Sequence, residues 1–224
     1  MLSLYAVPAY LGTVHVVYTS FPYMNPERVI RAYNMFQVAC NIPICVCLMY
    51  LLSSQATNIF FINTPRMELI RSCTIAHYLT KYLDLVDTMF IALKKSTRQM
   101  SFLHVYHHVS ILMIWEYLVM NDAYDGTIGV PAMINSFVHT VMYFHYMLRS
   151  YGIEHKYKHW ITRIQLSQFV YCFFHSIAML MYETVMPKRF AWIQLIYQIQ
   201  MLYLFGKFYV KSYAPKENKQ LKEE

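Results

Sequence analysis

Seven apolar stretches alternate with short, polar, cation-bearing segments along the chain. They run from Leu2 to Phe21, Met35 to Ser53, Thr74 to Leu93, Phe102 to Met120, Thr127 to Leu148, Trp160 to Tyr182 and Phe190 to Val210. A helix needs about 20 residues to cross the hydrocarbon core, so the pattern predicts an all-α polytopic membrane protein with about seven transmembrane helices in a bundle. Polar residues inside these runs recur at helical spacing. On the third run Lys81, Asp84, Asp87 and Thr88 stand at i, i+3, i+6 and i+7, with His77 a turn earlier. At the start of the fourth, His104, His107 and His108 stand at i, i+3 and i+4, which puts three imidazoles in one sector of a helix. His139 lies in the fifth run, and Gln165, Gln168, Cys172 and His175 share a face of the sixth.

Composition agrees with the pattern: 57% of residues are hydrophobic, 17% aromatic and only 14% charged. The formal charge of +7 suggests a nucleic-acid partner only until the cations are located. Threading seven spans puts Arg28, Arg31, Lys94, Lys95, Arg98, Arg149, Lys156, Lys158, Arg163, Lys207, Lys211, Lys216, Lys219 and Lys222 on one side. The other side has Arg66, Arg71, Lys188 and Arg189, and Lys81 falls within the third span. The positive-inside rule then predicts a lumenal amino terminus and a cytosolic carboxyl terminus, and no nucleic-acid partner is needed. Trp160 and Trp192 suit interfacial anchors. No cation precedes Arg28, so the first run reads as a retained helix rather than a cleavable signal. The five cysteines form no CxxC and read as small apolar packing residues. One membrane domain is expected over residues 1–213, followed by a disordered cytosolic tail over 214–224.

With that topology the polar faces converge in depth. At about 1.5 Å per residue, Asp84 lies ~13 Å from the cytosolic end of its helix, His107 ~8 Å, His139 ~13 Å and Gln168 ~12 Å. A bundle enclosing them would have a polar chamber open to the cytosol and an apolar end towards the lumen. Ionisable groups within a span usually mark a pathway or a reaction site, so the chamber is where chemistry is expected. Imidazole, with an ordinary pKa near 6.5, is largely unprotonated at neutral pH and can act as nucleophile or base. Other readings stand beside this one. His15 reads as a hydrogen-bonded packing residue; His77, His145 and His175 fit packing and chemistry equally. Lys81, Asp84 and Asp87 form either a charge-neutralised network or part of a catalytic site. Asn135, Gln165 and Gln168 also suit helix-to-helix hydrogen bonds. The Cys172 thiol has no evident activating base.

Several segments in fixed order resemble the ELO family of very-long-chain fatty-acid elongases. They are Lys81-Tyr-Leu-Asp84-Leu-Val-Asp87-Thr88, with Asp84 where the family has Glu; Leu93-Lys94-Lys95; Phe102-Leu103-His104 through His108; Asn135-Ser-Phe-Val-His139-Thr-Val-Met142-Tyr143; and Thr162-Arg-Ile-Gln165-Leu-Ser-Gln168-Phe169. The resemblance spans about Tyr10 to Tyr213 and implies an endoplasmic reticulum condensing enzyme, a 3-oxoacyl-CoA synthase. Such an enzyme joins long-chain acyl-CoA to malonyl-CoA, releasing CO2 and CoA, with no cofactor beyond the two substrates. It also implies an acyl tunnel, an acyl-imidazole intermediate carried by His107 with His139 as partner, and His104 and His108 as orienting or oxyanion-donating groups. Lys81, Asp84, Asp87 and Asn135 join the catalytic set, and Gln165, Gln168 and Tyr143 the substrate-binding set. Lys94, Lys95, Arg98, Lys156, Lys158, Lys207 and Lys211 are the cytosolic candidates for CoA phosphates. The implied partners are the lipid bilayer, other enzymes of the elongation cycle and a second copy in a homodimer.

Two other classes remain open on residues alone. A membrane di-iron desaturase or hydroxylase also uses HxxHH boxes, but needs roughly eight histidines from several boxes, where this chain has a single box. A seven-helix lipid receptor or transporter would use the same interior without turnover. Chain-length choice is expected to depend on bulk around Met179 to Tyr182 and Trp192 to Tyr197, and the wording of the box with the Gln165/Gln168 pair resembles branches acting on polyunsaturated chains.

Overall fold

The runs become helices in a computed structural model that describes residues 2–55, 58–123, 126–153 and 158–213. They are α1 Ser3–Ser20, α2 Glu27–Ser54, α3 Glu68–Leu93, α4 Phe102–Met120, α5 Gly129–Ser150, α6 Lys158–Tyr182 and α7 Lys188–Tyr213. A 3-10 turn, Gly126–Ile128, leads into α5, and no strand occurs among the described residues. The expected disordered tail, 214–224, lies outside the described residues, as does Lys156.

Local chemistry sets several boundaries. Ser101 caps α4 by accepting the His104 N–H at 3.2 Å, so the histidine box occupies the first two turns of its helix. α2 begins eight residues before the apolar run, because the Arg31 guanidinium turns aside to the Ser150 carbonyl at 2.6 Å and covers the Tyr151 ring at 4.1 Å. α3 likewise starts ahead of its run, with Glu68 in the first turn, where a carboxylate complements the helix dipole.

Six helices close into a ring in the order α2, α3, α4, α7, α6, α5 and back to α2, with α3 also touching α5. α1 packs outside the ring against α3 and α4. The carboxyl-terminal halves of α2, α4 and α6 meet the amino-terminal halves of α3, α5 and α7 in one apolar cluster, so successive helices of the ring alternate in direction. Leu48, Leu52, Ile70, Trp115, Ile128, Met179 and Phe190 belong to that cluster. It fills one end of the ring, and Gln37, Lys81, Asp84, His139 and Gln168 are buried towards the other.

Two helices, Glu27–Ser54 and His159–Tyr182, are long and apolar enough to cross a membrane. α3 falls short of that measure because Lys81, Asp84 and Asp87 interrupt its apolar run.

Loops tie off the apolar end. Glu183, after α6, accepts hydrogen bonds from the backbone N–H groups of Asn63 (3.2 Å), Val185 (2.9 Å) and Met186 (3.3 Å) and from the Thr127 hydroxyl. These donors hold its carboxyl below the usual carboxylate range, against the opposing effect of burial. Gly126 passes so close to this knot, at φ 60°, that a Cβ would sit 2.7 Å from the Thr64 carbonyl oxygen.

Candidate active site

α3 supplies the charge of the site. Lys81 and Asp84 are one turn apart and form an ion pair of 2.9 Å with side chains 1% and 4% exposed. Charges taken that far from water persist only when their remaining donors and acceptors are also met. The second bond of the Lys81 ammonium goes to Asn135 Oδ1 on α5 at 2.9 Å. Asp84 accepts from Gln37 Nε2 on α2 and from the Tyr143 hydroxyl on α5, each at 3.0 Å, and its other oxygen lies 3.5 Å from His139 Nδ1. The single Tyr143 hydroxyl proton is shared between Asp84 and Asp87, the nearer of the two. Asn135 continues the chain to Gln168 on α6 at 3.3 Å. One buried network thus spans α2, α3, α5 and α6, and fixes the side chains that face the ring interior.

The box divides between two neighbours. His104 Nε2 lies 2.9 Å from the Thr88 hydroxyl of α3 and its ring packs on His108 at 4.2 Å. Tyr10 of α1 donates to Thr88, which leaves the Thr88 proton free to point at Nε2. His107 turns the other way: its Nδ1 lies 2.8 Å from the Tyr197 hydroxyl of α7, and its ring meets Phe205 edge-on. The single sector expected from i, i+3, i+4 spacing is therefore wide enough to serve two helices.

A cavity of about 60 Å³ runs from His107 between α4, α5, α6 and α7. One water needs about 10–15 Å³ of such space, so this slot has room for about four to six waters. Its polar end has His107, Asn135, Gln168, Tyr197 and Gln198; its deeper walls are Ile111, Trp115, Leu118, Ile128 and Phe190, with Cys172 and Gln194 between. His139 does not line this slot; it stands behind Asn135, reaching Asp84. Of the segments expected to set chain length, Ile193, Gln194 and Tyr197 line the slot, whereas Met179 belongs to the apolar cluster and Tyr182 and Trp192 are exposed. Among the described residues no three His, Cys, Asp or Glu side chains are grouped so as to hold a metal ion.

The sequence pattern of the ELO proteins, the GNS1/SUR4 family, matches residues 1–221. The chain belongs to the ELO family. This ELO chain is 39% identical over 180 residues to fatty acid elongase 5 of Leishmania major, an alignment covering 80% of the chain and 71% of that protein. Over 189 residues it is 36% identical to fatty acid elongase 4 of Trypanosoma brucei brucei, covering 84% and 74%. Against very long chain fatty acid elongase 5 of Xenopus tropicalis it is 36% identical over 150 residues, which is 66% of the chain and 50% of that protein.

Lys94, Lys95, Arg98, Lys207 and Lys211 of this ELO protein do not line the slot. Arg98, Lys207 and Lys211 are exposed and Lys94 is partly buried. Lys95 donates instead to the Val17 and Tyr18 carbonyls that end α1, at 3.1 Å for Val17, and so caps that helix. Nothing is described of the Lys158 side chain. Gln165 Nε2 meets the Met142 sulfur at 3.5 Å and lies outside the network. His77 Nδ1 lies 2.9 Å from the Ser136 hydroxyl and its ring packs on Trp115, and His175 Nδ1 lies 3.0 Å from Gln194 Nε2, so each ring is held through one nitrogen. His15, expected to be packed, is exposed on α1. Gln37 and Glu116 escaped sequence reasoning, and Tyr197 was expected only at the end of a chain-length segment, not as the partner of His107. Gln37 stands between Asn34 and Asn41 in a buried polar stripe whose i, i+3, i+7 spacing was a usable signal. Glu116 accepts the Ser3 N–H with both oxygens at 3.0 Å, joining α4 to the start of α1. Tyr197 is one tyrosine among 21 and gives no signal of that contact before the fold is known.

Proposed function

We propose that this protein elongates fatty acids by condensing a long-chain acyl-CoA with malonyl-CoA to 3-oxoacyl-CoA, CO2 and CoA, within the endoplasmic reticulum membrane. The observation that carries this reading is His107 at the head of a slot whose deeper walls are apolar. A carboxyl-activated tail threaded into that slot brings its thioester carbon to an imidazole. The names of the relatives as fatty acid elongases support the substrate class.

Attack by His107 Nε2 forms the N–C bond and breaks the C–S bond. CoA leaves as a thiolate, and the acyl-imidazolium keeps its Nδ1 proton. Malonyl-CoA then loses CO2, and the resulting enolate carbon attacks the acyl-imidazolium, forming the new C–C bond, breaking the N–C bond and returning neutral His107 with its Nδ1 proton in place. For Nε2 to offer its lone pair, the ring proton sits on Nδ1 and donates to Tyr197, an arrangement that the 2.8 Å separation supports. Asn135 Nδ2 and His108 are the nearby donors suited to the oxyanions of both steps. His139, beside Asp84, is the partner that exchanges protons with the malonyl-derived group. Lys81 and Asp84 hold Asn135 and His139 in place.

The same reading takes all seven helices as spans, the amino terminus as lumenal and the polar end as cytosolic. Lys94, Arg98, Lys207 and Lys211 then line the approach of the CoA phosphates. Incubating purified protein with acyl-CoA and carboxyl-labelled malonyl-CoA tests the reading: acyl-CoA-dependent release of labelled CO2 with a product two carbons longer is expected. Release without acyl-CoA, or no extended product, would overturn it.

A further inference from the structure

The outer face of α6 carries a second, shallow groove that the proposed function leaves unused. It runs from Trp160, Arg163 and Tyr209 at the polar end of the bundle past Ser167 to Val170 and Phe174. Gln168 and Cys172 of the same helix face the slot, and Val170 and Phe174 each stand two residues, or about 200°, from one of them. The groove is therefore on the opposite side of α6. Trp160, Val170 and Phe174 are exposed there, on one of the two helices apolar enough to cross a membrane.

The polar end is a cluster of donors around one fixed cation. Arg163 donates its Nε–H to the Tyr209 hydroxyl at 2.9 Å, and its guanidinium carbon stands 5.0 Å from the centre of the Trp160 ring and 6.0 Å from that of Tyr209. These contacts fix the guanidinium plane and use one of its five N–H groups. Among the described residues no ion pair includes Arg163, and neither of its terminal nitrogens has a hydrogen-bond acceptor. Tyr209 accepts from Arg163, so its own proton is left to donate as well. The complement is an anion with several acceptor oxygens. A phosphate diester fits, because two of its oxygens match the parallel N–H pair of an arginine.

The rest of the groove specifies what the phosphate carries. Arg163 and Phe174 are about 16 Å apart along the helix, and beyond Ser167 the walls are apolar. Half of a hydrocarbon core of about 30 Å has that length. A soluble phosphate would leave these walls uncovered, whereas an acyl chain covers them over the depth of one leaflet. Ser167, exposed one turn below Arg163, suits the ester oxygens of a glycerol backbone. In the proposed topology α6 starts on the cytosolic side, where aromatic rings sit at headgroup level and basic sites meet anionic lipids. A zwitterionic lipid would bring its own ammonium beside a guanidinium that has no described carboxylate to offset it, so the anionic headgroup is favoured.

We infer that this groove holds one anionic phospholipid of the cytosolic leaflet, its phosphate on the Arg163 guanidinium and the Tyr209 hydroxyl and one acyl chain along Val170 and Phe174. The inference rests on the membrane topology of the proposed function and not on the elongation chemistry. Through Tyr209 the lipid joins α6 to α7, two of the helices whose inner faces line the slot.

The test exchanges the purified full chain into micelles holding equal amounts of phosphatidylinositol and phosphatidylcholine with matched acyl chains, and native mass spectrometry reads the lipid retained. One phosphatidylinositol per chain, kept about tenfold over phosphatidylcholine, is expected. Arg163→Gln should remove the preference, and Arg163→Lys, which keeps the charge without the fork, should retain part of it. Arg28→Gln removes an exposed cation outside the groove and should leave the preference intact. The melting temperature of the unmodified protein should rise more with phosphatidylinositol than with phosphatidylcholine, a readout that needs no variant to fold. Equal retention of both lipids by the unmodified protein, equal loss of preference in Arg163→Gln and Arg28→Gln, displacement of the lipid by free CoA, or a lipid-free dimer that Arg163→Gln dissociates would each overturn the inference. Release of the protein from membranes by alkaline carbonate would overturn the membrane topology and the inference with it. Malonyl-CoA-dependent extension is measured on the same preparation: its absence beside an intact lipid preference would overturn the elongase reading alone, and equal lipid retention beside intact extension would overturn this inference alone.

Discussion

The Tyr197 hydroxyl and the His107 Nδ1 lie 2.8 Å apart across the seam between α4 and α7. Among the described residues this is the one hydrogen bond of the His107 ring, and it leaves Nε2 as the nitrogen free for a substrate. Tyr197→Phe keeps the ring and removes the hydroxyl. Acyl transfer to the protein should slow by about 10- to 100-fold, because the Nδ1–H then loses its acceptor in a buried site. Single-turnover transfer from labelled acyl-CoA, followed by quenched-flow, checks this; KM for the acyl-CoA should change far less.

Lys81→Met should destabilise the protein by about 3–5 kcal/mol, since it leaves the Asp84 carboxylate buried beside no cation. Replacing Lys81 and Asp84 together by Met and Leu should cost less than Lys81→Met alone. Thermal unfolding in a fixed detergent, with the single and double variants side by side, measures the difference. Equal stability of Lys81→Met and the parent would show that the pair carries no structural burden.

Asp84 occupies the position where the family pattern has Glu, and its short arm accepts from Lys81, Gln37 and Tyr143 while lying 3.5 Å from His139. Asp84→Glu adds a methylene inside this closed shell, at a typical overpacking cost of about 1–3 kcal/mol. Condensation should fall by about tenfold or more, read as CO2 release at saturating substrates. Unchanged activity would mean that the shell accommodates either acid.

Glu183 contributes a pH dependence at the apolar end. Its carboxyl is held below the usual range by four donors, so the stability it supplies is fully present above the unfolded-state pKa of about 4.3 and is lost as pH falls through the depressed folded value. Glu183→Gln should therefore lower the unfolding midpoint at pH 7, and the gap between parent and variant should close on acidification below about pH 4. A gap independent of pH would assign the knot to shape rather than charge.

How much of this was legible before the fold was known depends on which interaction wrote the signal. Hydrophobic periodicity marks the helices well, because an apolar face is a property of many residues at once. It misplaces the starts of α2 and α3, where Arg31 and Glu68 are accommodated by partners or by the helix dipole. The inward polar groups Lys81, Asp84 and Gln168 were recognisable from helical spacing within apolar runs and Asn135 from the family resemblance, and they do meet. Partners that reach in from other helices were not. Tyr197 looks like any tyrosine until α7 packs on α4, and the division of the box between Thr88 and Tyr197 depends on the order of helices around the ring. Lys95 illustrates the converse: a loop cation suited to phosphates caps α1 instead.

The most direct measurement is intact and peptide-level mass analysis of the protein after brief exposure to acyl-CoA without malonyl-CoA. If His107 Nε2 receives the tail, the parent gains one acyl mass, labile to hydroxylamine and located on the peptide containing His107. The acyl mass should disappear on addition of malonyl-CoA as 3-oxoacyl-CoA forms, and His107→Ala should show neither adduct nor condensation. Full condensation by His107→Ala, or an adduct on Cys172, would contradict the central claim.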